Sequence, residues 1–389
     1  MPQLVEPDNL PSSRFTDATC VFKNTTIRQT VKVNLGSDIL RIRITNEFGA
    51  TPLGISRATV ALSLGGSGVS TVDPASLQKV TFSGRADVTL PPSVLGVSDP
   101  IQLSVRPGDI LSISLFLAKG QDGHDITGHP GSRTTSWLQP GDATLKDSLQ
   151  GKDALSLDHW YYISAVEGLA IAKSICLIGD SITDGRGSTH NANNRWPDEL
   201  WKRMQQDKFA RNISPINLAA GGNRILNHGL GPSAWSRIAR DVFSHSNVGY
   251  VLIFEGVNDI GTALPTEQAQ EYVYQQLVFA LDQIITQCKS FGIPVFGATI
   301  CPFGSVPNEI QSYSHPLRES TRQRVNEWIL NSGKYDFVVD FAAAVCDTKR
   351  PDYLLEKYDS GDFLHLNPEG LRRLAEAFDV RVFERFSTL

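Results

Sequence analysis

The sequence predicts an α/β protein in two parts. An antiparallel β-sandwich (jelly-roll-like) domain is expected over residues 1–171. A three-layer α/β/α domain with a parallel five-stranded sheet is expected over 172–389. Two observations carry this. Up to about residue 170 the apolar residues recur with a period near two, without intervening helical segments. Beyond residue 172, short apolar runs alternate with segments of helical period. A length of 389 residues suits two domains when a typical one has ~150.

In the first part, residues 39–46 alternate over Leu40, Ile42 and Ile44, with Arg41 and Arg43 on the opposite face. Runs at 59–64, 79–84 and 110–117 repeat the pattern between glycine, proline and aspartate turns, and 160–171 reads as the last strand. In the second part the buried strands are expected at 174–179, 215–220, 250–256, 294–300 and 337–341. Helices are expected at about 197–210, 232–243, 266–290, 316–332 and 367–384. Pro197, Pro232, Pro316 and Pro368 stand where a first helical position is expected, since the missing N–H has no intrahelical acceptor there anyway. In such open parallel sheets ligands bind beyond the carboxyl ends of the strands, so the residues just after each strand are the ones to inspect.

Composition excludes several classes of function. With 36 Lys and Arg against 41 Asp and Glu, the net charge of −5 offers no footprint for nucleic acid. No apolar run approaches the ~18–20 residues that span a bilayer. The five cysteines, Cys20, Cys176, Cys288, Cys301 and Cys346, are scattered and form no CxxC pair, so their pairing stays open. HExxH, an EF-hand loop, a P-loop and a complete GxGxxG are all absent, and no cofactor or metal is expected. The first fifteen residues have neither a basic n-region nor an apolar h-region, so no signal peptide is expected in this chain.

Chemistry-bearing residues stand at four strand ends. Ser181 follows the first strand within Gly179-Asp180-Ser181-Ile182-Thr183-Asp184-Gly185, where a hydroxyl is exposed and a backbone N–H is free to donate. Asp180 is expected to organise that turn, and Asp184 and Asp259 are also assigned to structure. Gly222 lies in Ala219-Ala220-Gly221-Gly222-Asn223, where paired glycines allow close backbone approach to a ligand. Asn258 follows the third strand in Glu255-Gly256-Val257-Asn258-Asp259, and its side-chain amide can donate to a developing oxyanion. Asp362 and His365 are three apart before a helix started by Pro368, a spacing that puts both side chains on one side of a turn. Each motif alone is also readable as ordinary turn or capping chemistry.

Carrying these blocks in order, residues 172–389 resemble the SGNH/GDSL hydrolase family of serine esterases and acylhydrolases. TIRQT at 26–30, RIRITNEFG at 41–49 and HPGSRTTSW at 129–137 resemble a branch with an N-terminal β-sandwich before the SGNH domain. The resemblance implies a flavodoxin-like catalytic domain, with Ser181 as nucleophile, His365 as general base and Asp362 orienting it. The implied oxyanion donors are the N–H groups of Ser181 and Gly222 and the Asn258 side chain. The implied reaction is hydrolysis of carboxylic esters with short acyl groups such as acetyl, on small molecules or carbohydrate. Relatives carry histidine at the position of Phe363 and proline at that of Leu366, which directs attention to substrate contacts rather than to the chemistry.

Two rivals stay open. An acyltransferase would use the same residues, and a carbohydrate-binding protein with a degenerate hydrolase half could stack sugars on Trp137 or Trp160. Asn46 and Arg133 are expected to shape a substrate entrance. The branch implies an extracellular protein, whereas the missing leader leaves a cytoplasmic one open. Because relatives carry a further strand before the segment matching MPQL, Met1 is readable as an internal methionine. Oligomeric state leaves no mark in the sequence.

Overall fold

The computed structural model describes residues 2–306 and 311–386. The chain divides into two compact units, Met1–Ile171 with His190–Asn193, and Ala172–Thr189 with Asn194–Leu389.

The first unit is built from antiparallel strands. Its larger sheet runs, edge to edge, through Leu155–Leu157, Ser136–Pro140, Thr25–Lys32, Ile110–Leu117, Arg57–Leu62 and Gln78–Val80. A second sheet runs through Ile101–Val105, Ser37–Thr45 and Ile163–Gly168, with Leu95–Val97 also paired to Ser37–Thr45. Both sheets feed one core: Ile27, Val60, Leu111, Ile113 and Leu115 from the larger, and Leu40, Ile42, Ile44, Ile101 and Leu103 from the smaller. On the other face of Thr25–Lys32, the fully buried Arg28 donates to Ser114 Oγ at 2.8 Å and to the Ser70 and Lys146 carbonyls, each at 2.7 Å. An arginine is tolerated there because these acceptors replace its water.

Two expected strands end early for local reasons. The run at 79–84 stops at Val80, because Ser83 and Gly84 take left-handed conformations (φ 51° and 78°) in a turn closed by Phe82 and Arg85. The run at 160–171 breaks at Tyr162 (φ 63°) and resumes only over Ile163–Gly168, leaving Ile171 fully exposed.

The second unit is a five-stranded parallel sheet. Its strands are β1 (Lys173–Gly179), β2 (Ile213–Asn217), β3 (Val248–Phe254), β4 (Val295–Ala298) and β5 (Phe337–Val339), in the order β2-β1-β3-β4-β5. The alternation of side chains explains the three layers. Ile175, Leu177, Tyr250, Leu252 and Phe254 point into one core, while Cys176, Ile178, Val251 and Ile253 point into the other. Covering the first face are α2 (Trp196–Met204), α7 (Phe341–Val345) and α8 (Pro368–Ala377). The second is covered by α3 (Ala234–Ile238), α4 (Val257–Thr262), α5 (Glu267–Ser290) and α6 (Pro316–Asn331). Helix α8 shows why: Leu371, Leu374 and Ala375 are buried at helical spacing, each large apolar side chain contributing about 1.5–3 kcal/mol.

Several expected helix limits shift. Pro316 and Pro368 begin their helices, Pro197 is the second residue of α2, and Pro232 lies ahead of Ser233, the N-cap of α3. Helix α3 continues as a π-helical turn to Phe243. The expected helix at 367–384 is α8 followed by a 3-10 segment, Val380–Phe386. The short helices α1 (Ser181–Asp184), α4 and α7 were not expected from periodicity, being one or two turns long.

Candidate active site

In the β1–β3 register Gly179 lies opposite Phe254, so the segments that follow the two strands leave the sheet at one edge. The first of these is α1. Asp180 caps it, its Oδ1 accepting the Ile182 N–H at 2.9 Å, and Gly185 ends it in a left-handed conformation (φ 100°) open to glycine without strain. Ser181 is thereby the first helical residue, and its N–H has no intrahelical acceptor.

Ser181 Oγ lies 2.7 Å from His365 Nε2, and His365 Nδ1 lies 2.7 Å from Asp362 Oδ2. Serine and histidine are both buried. Asp362 Oδ1 accepts the His365 N–H at 2.8 Å and the Leu364 N–H at 3.1 Å, so the same carboxylate folds the turn and holds the ring. Partial burial works to raise the Asp362 pKa. The hydrogen bonds from the His365 ring and backbone, with the charge of that ring, outweigh burial and hold the carboxyl well below its usual range. Asp359 Oδ1 accepts the N–H groups of Gly361, Asp362 and Phe363, anchoring the turn from behind.

The loop after β2 and the helix after β3 hold each other. Asn258 Nδ2 donates to the Asn223 carbonyl at 2.8 Å, and Asp259 accepts the N–H groups of Ile225 and Leu226 at 2.9 and 3.0 Å. Fully buried Arg237 donates to Asn223 Oδ1, to the Leu218 carbonyl and to Asp241 Oδ2. Gly222 adopts φ 68°, and a Cβ added there would stand 2.8 Å from Leu230 Cδ1. Burial raises the pKa of Asp180 to about 7 and of Asp259 to about 6, and pushes that of Glu255 well up.

Residues 177–373 match the model of the GDSL-like lipase/acylhydrolase family. The chain belongs to that family. Among solved structures it is similar to an acetylxylan esterase from Geobacillus stearothermophilus, with 20% identity, 54% of this chain and 94% of that one covered, and a TM-score of 0.40. A carbohydrate acetylesterase from Sinorhizobium meliloti shows 14% identity, coverage of 56% and 99%, and a TM-score of 0.39. A GDSL-like lipase from Bacteroides thetaiotaomicron shows 18%, 55% and 89%, and 0.38. No curated protein matches the chain.

The matched span of this GDSL-like hydrolase contains Ser181, Gly222, Asn258, Asp362 and His365. Asn223, Arg237 and Tyr313 were not singled out in the sequence. Asn223 adjoins the paired glycines and Arg237 stands four residues before its partner Asp241, but nothing local marks Tyr313, whose partner Asn258 is 55 positions away. A cleft of about 700 Å³, lined by Phe303, Ser305, Ser314, His315 and Tyr353 among others, lies in the same unit, and no residue of the Ser181–His365–Asp362 chain lines it.

The first unit corrects one expectation. Asn46 is fully buried, donating to the Thr51 and Leu90 carbonyls and accepting from Gln121 Nε2 at 2.8 Å, so it is a core hydrogen-bonding residue and not part of a substrate entrance. Arg133 is half-buried in a left-handed conformation (φ 50°), and its carbonyl accepts the Asn191 N–H. Trp137 is half-buried with its indole N–H donated to the Gly68 carbonyl at 2.9 Å. All five cysteines are free thiols. Among the described residues, no group of three or more His, Cys, Asp or Glu side chains could hold a metal ion, and no helix is long and apolar enough to cross a membrane.

Proposed function

We propose that this GDSL-like hydrolase cleaves carboxylic esters through an acyl-serine intermediate. The observation that carries the reading is the continuous hydrogen-bonded chain Ser181 Oγ–His365 Nε2 and His365 Nδ1–Asp362 Oδ2, at 2.7 Å each. With Nδ1–H donated to Asp362, the lone pair of Nε2 faces the serine hydroxyl. Ser181 Oγ attacks the ester carbonyl carbon as its proton passes to His365 Nε2. The imidazolium then returns that proton to the leaving alkoxide as the C–O bond breaks. Water repeats the cycle on the acyl-serine, releasing the acid and the free hydroxyl. Asp362, kept ionised by its hydrogen bonds, stabilises the imidazolium.

The oxyanion of each tetrahedral intermediate is assigned to the N–H groups of Ser181 and Gly222 and to the second amide hydrogen of Asn258, the first being donated to the Asn223 carbonyl. Each such donor is typically worth about 3–4 kcal/mol. The acyl group proposed is a short one such as acetyl. The substrate is a small-molecule or carbohydrate ester.

Turnover of p-nitrophenyl acetate and of acetylated sugars by wild type and Ser181→Ala tests the assignment. The variant should lose about 10⁶-fold in kcat, keeping only the residual rate that binding and the oxyanion donors supply. Wild-type turnover by Ser181→Ala would refute the mechanism.

A further inference from the structure

Asn258 sits in the first turn of α4, and both ends of its side-chain amide are engaged. Nδ2 donates to the Asn223 carbonyl at 2.8 Å, while the phenol of Tyr313 lies 3.0 Å from Oδ1. A carbonyl accepts only, so the Asn223 contact requires the NH2 group on that side. Oδ1 therefore faces Tyr313, and the phenol is the donor. A phenol is protonated near neutrality, and burial raises its pKa further. One N–H of Asn258 then remains for a ligand.

Several contacts hold Tyr313 in place. Its ring packs where Gly261 lacks a side chain, since a Cβ there would stand 2.2 Å from Tyr313 Cδ2. It meets Phe303 edge to face at 6.4 Å. The Tyr313 N–H donates to Gln311 Oε1 at 2.6 Å. Arg318 bridges the end of α4 to this segment, donating to the Ala263 carbonyl at 2.7 Å and to the Ser312 carbonyl at 2.6 Å. A phenol fixed in this way adds little entropy cost to the hydrogen bond it makes.

We propose that Tyr313 is a positioning residue that sets the amide plane of Asn258 and strengthens its remaining N–H as an oxyanion donor. The inference rests on the reading that Asn258 donates to the oxyanion. Two physical effects combine. The bond to Oδ1 prevents rotation of the amide about its last torsion, which alone is soft and nearly two-fold. Donation to the amide oxygen also polarises the group, and hydrogen bonds in such a chain reinforce one another in a low-dielectric site. Neither effect requires Tyr313 to touch substrate.

A double-mutant cycle tests this, with kcat and KM for p-nitrophenyl acetate measured on wild type, Tyr313→Phe, Asn258→Ala and the double variant, beside Ser181→Ala. Tyr313→Phe keeps the ring in its slot and should lower kcat about 3- to 10-fold with KM unchanged, while the unsatisfied Asn258 Oδ1 lowers the thermal unfolding midpoint by no more than a few degrees. In the Asn258→Ala background the same substitution should change kcat by less than about twofold. Wild-type kcat in Tyr313→Phe, or an equal fall in both backgrounds, overturns the inference while leaving the serine mechanism standing. Wild-type turnover by Ser181→Ala overturns both.

Discussion

Asp362 holds His365 at two points, its Oδ2 lying 2.7 Å from the ring Nδ1 and its Oδ1 2.8 Å from the backbone N–H. The three-residue spacing makes this possible, because the intervening Phe363 takes a left-handed turn (φ 59°) that brings the backbone of residue 365 back to the carboxylate. Asp362→Asn would keep the backbone acceptor but present an amide to Nδ1. If that amide donates, the ring must carry its proton on Nε2, facing away from a base's role. The expected loss in kcat is roughly 10³–10⁴-fold, measured on p-nitrophenyl acetate, with a lower unfolding midpoint because the ionised carboxylate also stabilises the fold.

Gly222→Ala should destabilise the protein by about 1–2 kcal/mol, since φ 68° is disfavoured once a Cβ is present. Its new methyl would also press on Leu230, at 2.8 Å. Leu230→Ala in the same chain should recover the part that comes from this contact and not the part from backbone strain. Thermal unfolding of the two variants separates them.

The buried acids near Ser181 predict how stability depends on pH. Burial penalises the charge of Asp180 and raises its pKa from 3.8 to about 7 in the fold. Between these values the folded state binds more protons than the unfolded one, so stability falls as pH rises from about 4 to about 7 and then levels off. Asp259, raised to about 6, acts in the same direction. Asp180→Asn retains an oxygen for the Ile182 N–H and removes the charge, so the decline in melting temperature between pH 5 and pH 8 should shrink. An undiminished decline would show that Asp180 is not its source.

Arg237 is the hub of the support under the loop after β2. Its removal leaves the Leu218 carbonyl and Asn223 Oδ1 without their donor and strips a partner from buried Asp241. Arg237→Ala is expected to destabilise by about 3–5 kcal/mol in urea unfolding, and lysine should not rescue it, because one ammonium cannot reproduce the forked contacts.

The parallel sheet was legible because its inner strands are buried on both faces and read as apolar runs. Tyr250 to Phe254 need no partner to declare themselves a buried strand. The residues now within hydrogen-bond reach of one another, Ser181, Asp362 and His365, were singled out by their positions at strand ends. Asn258, expected just past the third strand, lies inside α4, which starts at once after Gly256 (φ 123°) and is too short to show a period.

What the chain alone determined is local: the switch in apolar period near residue 172, the glycines that allow left-handed turns, and the Asp362–His365 spacing. Tertiary structure decided which polar groups lie opposite one another. Asn46 continues the alternation of Leu40, Ile42 and Ile44 on the core face, so its burial is legible, but its partner is not: Gln121, 75 positions away, meets its amide in the core. Tyr313 reaches Asn258 across 55 positions, and Arg237 reaches Asn223 across 14. The reason is physical. Apolar burial depends on a residue's own character and repeats with the geometry of its element, whereas a hydrogen bond depends on the exact placement of a second group that only the folded chain supplies.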